Sequence, residues 1–225
     1  MYRTSKETQQ RKDAKRQHIL DTAANVFARR GYHHTTVKEI VEEAGISVGS
    51  FYFYFKSKEE LFTELYLGIV QAFNDTAQRV LDVQNYSVAK NYTRVITAIL
   101  WMYQQNRAMA KIVMIESFGV NPEFEKVRWA SIRESWQAME GRLKRIKALY
   151  PVHIPDERVA ALAFEGSFSY LLMDWLQGDG DVPLTDAAYP LAIYNLQALK
   201  IPFEEEDIQS YVREVLAELN QPHQP

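Results

Sequence analysis

The chain has 225 residues, 47% of them hydrophobic and 24% charged, with a formal net charge of −3; this is enough apolar content for one or two packed domains and too much for a disordered chain. No apolar run reaches the roughly 20 residues of a membrane-spanning helix, and the lack of cysteine excludes disulfide frameworks, thiolate zinc sites and thiol catalysis. The charge is uneven: residues 1–60 hold eleven Lys/Arg against eight Asp/Glu and the remainder is net −6, so a basic end on an acidic body points toward a polyanion.

The opening stretch, MYRTSKETQQRKDAKR, is polar and has no apolar core of a secretory signal, so a cytoplasmic protein with no membrane partner is expected. All eight prolines lie at or beyond Pro122, and before them apolar residues recur at three- and four-residue steps, the pattern of helices. A first helix over about 12–30 puts Ile19, Ala23, Val26 and Phe27 on one face and stops at Gly31, which tolerates positive φ. Thr36-Val37-Lys38-Glu39 is a capping box that opens a helix of two turns ending at Gly45. A second short helix runs from Ser47 to about Phe53, and Ser57-Lys58-Glu59-Glu60 opens a long one with Leu61, Phe62, Leu65, Ile69 and Phe73 inward. Longer helices follow over about 88–105, 107–118, 122–149, 156–177, 186–200 and 204–220, separated by Gly119–Pro122, Pro151–Pro155, Gly178–Pro183 and Ile201-Pro202. No strand is expected, and the tail after Asn220 is expected to fray.

Two short helices joined at Ala44-Gly45-Ile46-Ser47 have helix-turn-helix spacing: Gly45 permits the sharp turn, and the neighbouring helices supply the apolar stripes that such a small unit needs. At this point Thr36–Leu61, TVKEIVEEAGISVGSFYFYFKSKEEL, closely resembles the DNA-binding head of the TetR/AcrR family of regulators. The resemblance rests on Thr36, Ala44-Gly45-Ile46-Ser47, Gly49, Phe51-Tyr52, Phe55 and Ser57-Lys58-Glu59; Val41 stands where a small Ala is frequent. It covers about residues 12–62. It implies an all-α protein with an N-terminal three-helix, homeodomain-like head over residues 1–60 and a larger helical domain for effector binding and dimerisation over 61–225.

On the second short helix, Ser47, Val48, Gly49 and Ser50 are placed to face base edges in a major groove, with Phe53 as a further groove contact. Tyr52, Tyr54, Lys58, Thr36 and the basic stretch Arg11, Lys12, Lys15 and Arg16 are expected on phosphates of double-stranded DNA. Phe51 and Phe55, four apart, read as core. The body is rich in large apolar groups, and Trp101, Met102, Tyr103, Met109, Phe118, Trp129, Trp136, Phe164 and Phe168 are candidates to line a pocket for a lipophilic effector. Arg107, Lys111, Arg128 and Arg133 could receive an anionic head, which makes a fatty acyl thioester one candidate.

The resemblance further implies that this pocket lies among helices 4–8 and that an effector shifts helix 4 and so the spacing of two heads. The late helices 156–177 and 204–220 carry an apolar face too many, as expected of a homodimer. The expected function is therefore a homodimeric repressor released by its effector from a near-palindromic operator. The alternative is an activator or a ligand-independent DNA binder of the same fold. An enzyme is not expected: no Gly-x-Ser-x-Gly, Walker or His-Glu-x-x-His motif occurs, and the five histidines form no ligand pair at helical spacing. Gly178–Pro183 lacks the later Glu of a calcium loop and reads as a turn. Neither cofactor nor metal is expected.

Overall fold

The computed structural model describes residues 6–81, 86–178 and 182–221. Among these there is no strand. The helices are α1 (Lys6–Arg30), α2 (Val37–Glu43), α3 (Val48–Tyr54), α4 (Lys58–Leu81), α5 (Val88–Gln105), α6 (Arg107–Lys111), α7 (Pro122–Leu149), α8 (Glu157–Gln177), α9 (Ala188–Ala198) and α10 (Glu205–Leu219). A π turn over Ile112–Glu116 continues α6, and a 3₁₀ turn over Leu184–Ala187 precedes α9. The expected loop at Gly178–Pro183 and the tail beyond Asn220 fall largely outside the described residues. Helix α1 begins six residues earlier than its apolar pattern suggests, because i,i+4 pairs such as Arg11–Glu7 and Gln9–Asp13 extend it through polar sequence.

Two compact units divide the chain: residues up to Ile69 with Lys111–Arg128, and Val70–Ala110 with the rest from Trp129 onward. The expected boundary at residue 60 leaves Lys111–Arg128 out of the head. Phe124 brings this stretch into the first unit, packing edge-on against Phe62 and Tyr66 at centroid distances of 5.3 and 5.2 Å. Glu116 Oε2 accepts from the backbone N–H of Tyr32 at 2.8 Å, and Lys111 Nζ donates to the carbonyl of Ala28. Both thereby satisfy backbone groups at the C-terminal end of α1, whose carbonyls have no helical partner. The rest of this unit's core includes Ile19, Ala23, Phe27, Ile40, Phe51, Phe55 and Leu61, all essentially inaccessible.

In the second unit α5 is central: every residue from Thr93 to Leu100 is buried. α10 lies against it, with Ile208 and Val215 buried. Arg94, buried on α5, donates from Nη1 and Nη2 to the two carboxylate oxygens of Glu218 at 3.1 and 2.7 Å, and Lys90 pairs with Glu214 at 2.9 Å. Of the apolar stripe of α10, expected to face a second subunit, Ile208 and Val215 are buried inside the chain while Val212, Leu216 and Leu219 are half-buried. A more open stripe lies on α8, where Val159, Leu162, Tyr170 and Met173 are exposed at steps that keep them on one face.

Candidate nucleic-acid interface

The short helices of the head are built from local signals. Thr36 caps α2: its hydroxyl oxygen accepts from the Glu39 N–H, and the Glu39 carboxylate accepts from the Thr36 N–H at 2.8 Å. These bonds from Thr36, with the charges of Arg30 and Lys58 beside it, hold the Glu39 carboxyl below its ordinary range. At the other end Gly45 takes φ +64°, the Ile46 N–H donates to the carbonyl of Val41 at 3.0 Å and the Gly45 N–H to Glu42 at 3.3 Å. This paired closure ends α2 and starts the turn. Ser47 then caps α3, accepting from the Ser50 N–H at 3.1 Å.

What aims α3 is its buried side. Phe51 and Phe55 enter the core, as their spacing suggests, and Arg16 stacks over the Phe55 ring while pairing with Glu64 of α4. His18 Nε2 lies 3.0 Å from the carbonyl oxygen of Ala44, tying α1 to the turn. With that side fixed, Val48, Gly49, Tyr52 and Phe53 share the outward face; Val48 is 48%, Tyr52 54% and Phe53 66% exposed. So large an aromatic display on seven residues runs against the cost of hydrating apolar area. Ser50 and Tyr54 are half-buried at its edges. Gly49 has no atom other than the Ser47 hydroxyl within 4 Å of where a Cβ would stand, so its surface is open to close approach. Lys12 on α1 sets its ammonium 5.5 Å from the Phe53 ring centre, which brings part of the basic stretch beside α3.

Lys58 has a different place. Its ammonium donates to the carbonyls of Tyr32 and Thr35 at 2.9 and 2.8 Å and lies 4.2 Å from the Tyr32 ring centre. Burial pulls its pKa below the lysine range, opposed by the charges of Glu59 and Glu39. Two of its three N–H groups therefore hold the α1–α2 connection onto the start of α4. Arg29 and Arg30 are similarly engaged, pairing with Glu43 and Glu39.

Of the nine residues offered as pocket lining, the cavity of the second unit brings in only Phe164. This cavity, about 270 Å³, is walled by α5, α7, α8 and α9 through Tyr92, Leu143, Val159, Phe164 and Leu199 among others. Trp101 bonds to Asn220 at 2.9 Å; Tyr103 stacks between Phe73 and Phe168; Met102 sits by Thr76; Trp136 lies under Arg158. Met109 is half-buried, and Phe118 and Trp129 are exposed. Of the basic groups offered to an anionic head, Arg107 donates to the carbonyls of Trp175, Leu176 and Gly178 at the end of α8. Arg128 is buried against Glu125 and Phe118, and Lys111 is held by Ala28. No helix among the described residues is long and apolar enough to cross a membrane.

Comparison with known proteins points to the same part of the chain. Residues 19–65 match the model of the bacterial regulatory proteins of the tetR family. An uncharacterised HTH-type transcriptional regulator of Bacillus subtilis, YdgC, is 32% identical over 116 residues, half of this chain and 57% of that protein. The HTH-type transcriptional repressor KstR2 of Rhodococcus jostii is 44% identical over 59 residues, 26% of this chain and 29% of that one. The chain thus matches less than two thirds of the length of these curated relatives. Among solved structures, the fatty acid degradation regulator FadR of Bacillus halodurans shares the fold with a TM-score of 0.75 at 22% identity, covering 82% of this chain and 96% of the other. FadR of Bacillus subtilis, crystallised with stearoyl-CoA, gives 0.71 at 20%, over 80% and 96%.

Proposed function

We propose that this chain, a TetR-family helix-turn-helix protein by its head, is a homodimeric transcriptional regulator that binds a near-palindromic operator through α3 and releases it when a lipophilic small molecule binds the second unit. Its relatives are regulators rather than enzymes. The observation that carries the reading is the outward face of α3. Val48, Tyr52 and Phe53 stand in water on a helix whose other side is locked by Phe51 and Phe55. A major groove admits a helix of this width, with Val48 and Phe53 for thymine methyls and the Ser hydroxyls for base edges. Tyr52, Tyr54, Thr36 and Lys12 would register the helix on phosphates. Two such helices serve one duplex only when paired about 34–36 Å apart, and the more open α8 stripe is the face we assign to the partner copy. Arg107, Lys111 and Arg128 are held inside the fold, which leaves Arg133, exposed on α7, as the group of those four open to an anionic head such as that of a fatty acyl thioester.

The test is gel retardation with DNA selected from a random pool, at several salt concentrations. Wild-type protein should bind as two chains per site, with affinity falling steeply as salt rises. Phe53→Ala, which touches no core, should weaken specific binding by about 1–3 kcal/mol and leave the salt slope alone. Equal affinity of wild type and Phe53→Ala for every sequence would refute α3 as the reading helix.

A further inference from the structure

The buried anchors of α3, Phe51 and Phe55, stand at its middle and its end. Its first turn has none: Ser47, Val48 and Gly49 are exposed and Ser50 is half-buried. These are the residues assigned above to base edges, and their place is set by the turn that precedes them rather than by packing of their own. We propose that His18 of α1 fixes that turn and is thereby a positioning residue for the reading of sequence by α3. The part concerning sequence rests on the function proposed above; the hold on the turn does not.

The turn bonds almost wholly within its own hairpin. The N–H groups of Ala44, Gly45 and Ile46 donate to the carbonyls of Ile40, Glu42 and Val41, and the Ser47 carbonyl accepts from the Phe51 N–H. Gly45 is exposed, with nothing within 4 Å of where a Cβ would stand, and Ile46 is half-buried. The Ala44 carbonyl is left over, because α2 ends there and no further helical N–H reaches it. Ala44 is itself buried, so leaving its carbonyl unpaired would cost free energy. His18 Nε2 meets that oxygen at 3.0 Å. A carbonyl only accepts, so Nε2 carries the hydrogen. Among the described residues this is the hydrogen bond that joins residues 44–47 to a helix outside the α2–α3 hairpin.

The bond also has leverage. Ile19, next to His18, is fully buried, which seats this part of α1 in the core. Arg16, two residues away, stacks over Phe55 at 5.0 Å from the ring centre. One rigid helix therefore grips α3 at its far end through Arg16 and at its near end through His18. With seven residues α3 is only about 10 Å long. Losing the near grip leaves the base-facing turn free to swing about Phe51 and Phe55.

Three substitutions separate the bond from bulk. Glutamine carries its Nε2 the same number of bonds from Cα as histidine does, asparagine stops one bond short, and leucine has no donor. Amide hydrogen exchange of the full chain, read by mass spectrometry, reports the hold. His18→Leu should speed exchange at Ile46, Ser50 and Phe51 about three- to tenfold, the worth of one net hydrogen bond, and leave α4 unchanged. His18→Asn should match His18→Leu, and His18→Gln should match wild type. No acceleration, equal acceleration throughout α4, or glutamine no better than leucine would overturn the hold. In gel retardation, the preference for selected over random DNA should fall by a similar factor in the leucine and asparagine variants, at an unaltered salt slope because no phosphate contact is lost. Faster exchange with the preference intact would refute the role in sequence reading and leave the hold standing. Wild-type protein that selects no DNA would refute the proposed function and that role together, while exchange would still decide the hold.

Discussion

Lys58→Met separates two jobs that one lysine can do in a DNA-binding head. Methionine keeps the stem that lies over Tyr32 and removes the donors that reach the carbonyls of Tyr32 and Thr35 at 2.9 and 2.8 Å. Two charge-assisted bonds at about 1.5 kcal/mol each give about 3 kcal/mol. The ammonium is only partly buried and pays desolvation for the part that is, as its lowered pKa indicates, so a net loss of about 1–2 kcal/mol is expected. Chemical denaturation should show it as a lower midpoint at unchanged slope. DNA binding, measured where the variant is fully folded, should keep its salt dependence. A phosphate contact would behave oppositely, because each one lost lowers the slope of log K against log salt by about 0.9. An unchanged midpoint together with that drop in slope would refute the assignment of Lys58 as a positioning residue.

Two further substitutions test the packing. Gly31 and Gly45 both hold positive φ, +82° and +64°, but a Cβ on Gly31 would lie 3.2 Å from Glu116 Oε2 while one on Gly45 meets nothing within 4 Å. Gly45→Ala should therefore cost about 1–2 kcal/mol from backbone strain alone, and Gly31→Ala about 1 kcal/mol more because the Glu116–Tyr32 bond must shift; equal costs by urea titration would contradict the docking of Glu116 on α1. Glu165 on α8 accepts from Ser135 at 2.8 Å, and burial raises its pKa against the pull of Ser135 and Arg142. The folded state then holds this proton to higher pH than the unfolded chain does, so stability declines as pH rises from the unfolded value through the raised folded one. Glu165→Gln should remove that decline, gaining on wild type between acid and neutral pH; a stability difference independent of pH would sink the argument.

Much of the head can be read from residues close in the chain. The Thr36/Glu39 box, the turn at Gly45 and the Ser47 cap each depend on bonds spanning three to five residues, and Phe51 and Phe55 declare their inward face by spacing alone. The pocket was far less legible. Tyr103 and Phe168 have the same helical periodicity as Phe164, yet they fill space against each other while Phe164 borders a void. Periodicity reports that a face is buried and carries nothing about whether the packing opposite is complete.

By itself, then, the sequence determined the all-helical class, nearly all the helix ends and the outward display of Val48, Tyr52 and Phe53. Those follow from short-range geometry, caps and breakers acting within a turn or two. Only the tertiary structure decided that Lys58 braces the head, that Lys111 and Glu116 dress the end of α1, and that Ile208 and Val215 of α10 are buried while Val159, Leu162, Tyr170 and Met173 of α8 stay exposed. Each of these is a choice among apolar stripes and charged groups of equal local standing, made when distant segments compete to bury the same area and to satisfy the same backbone groups.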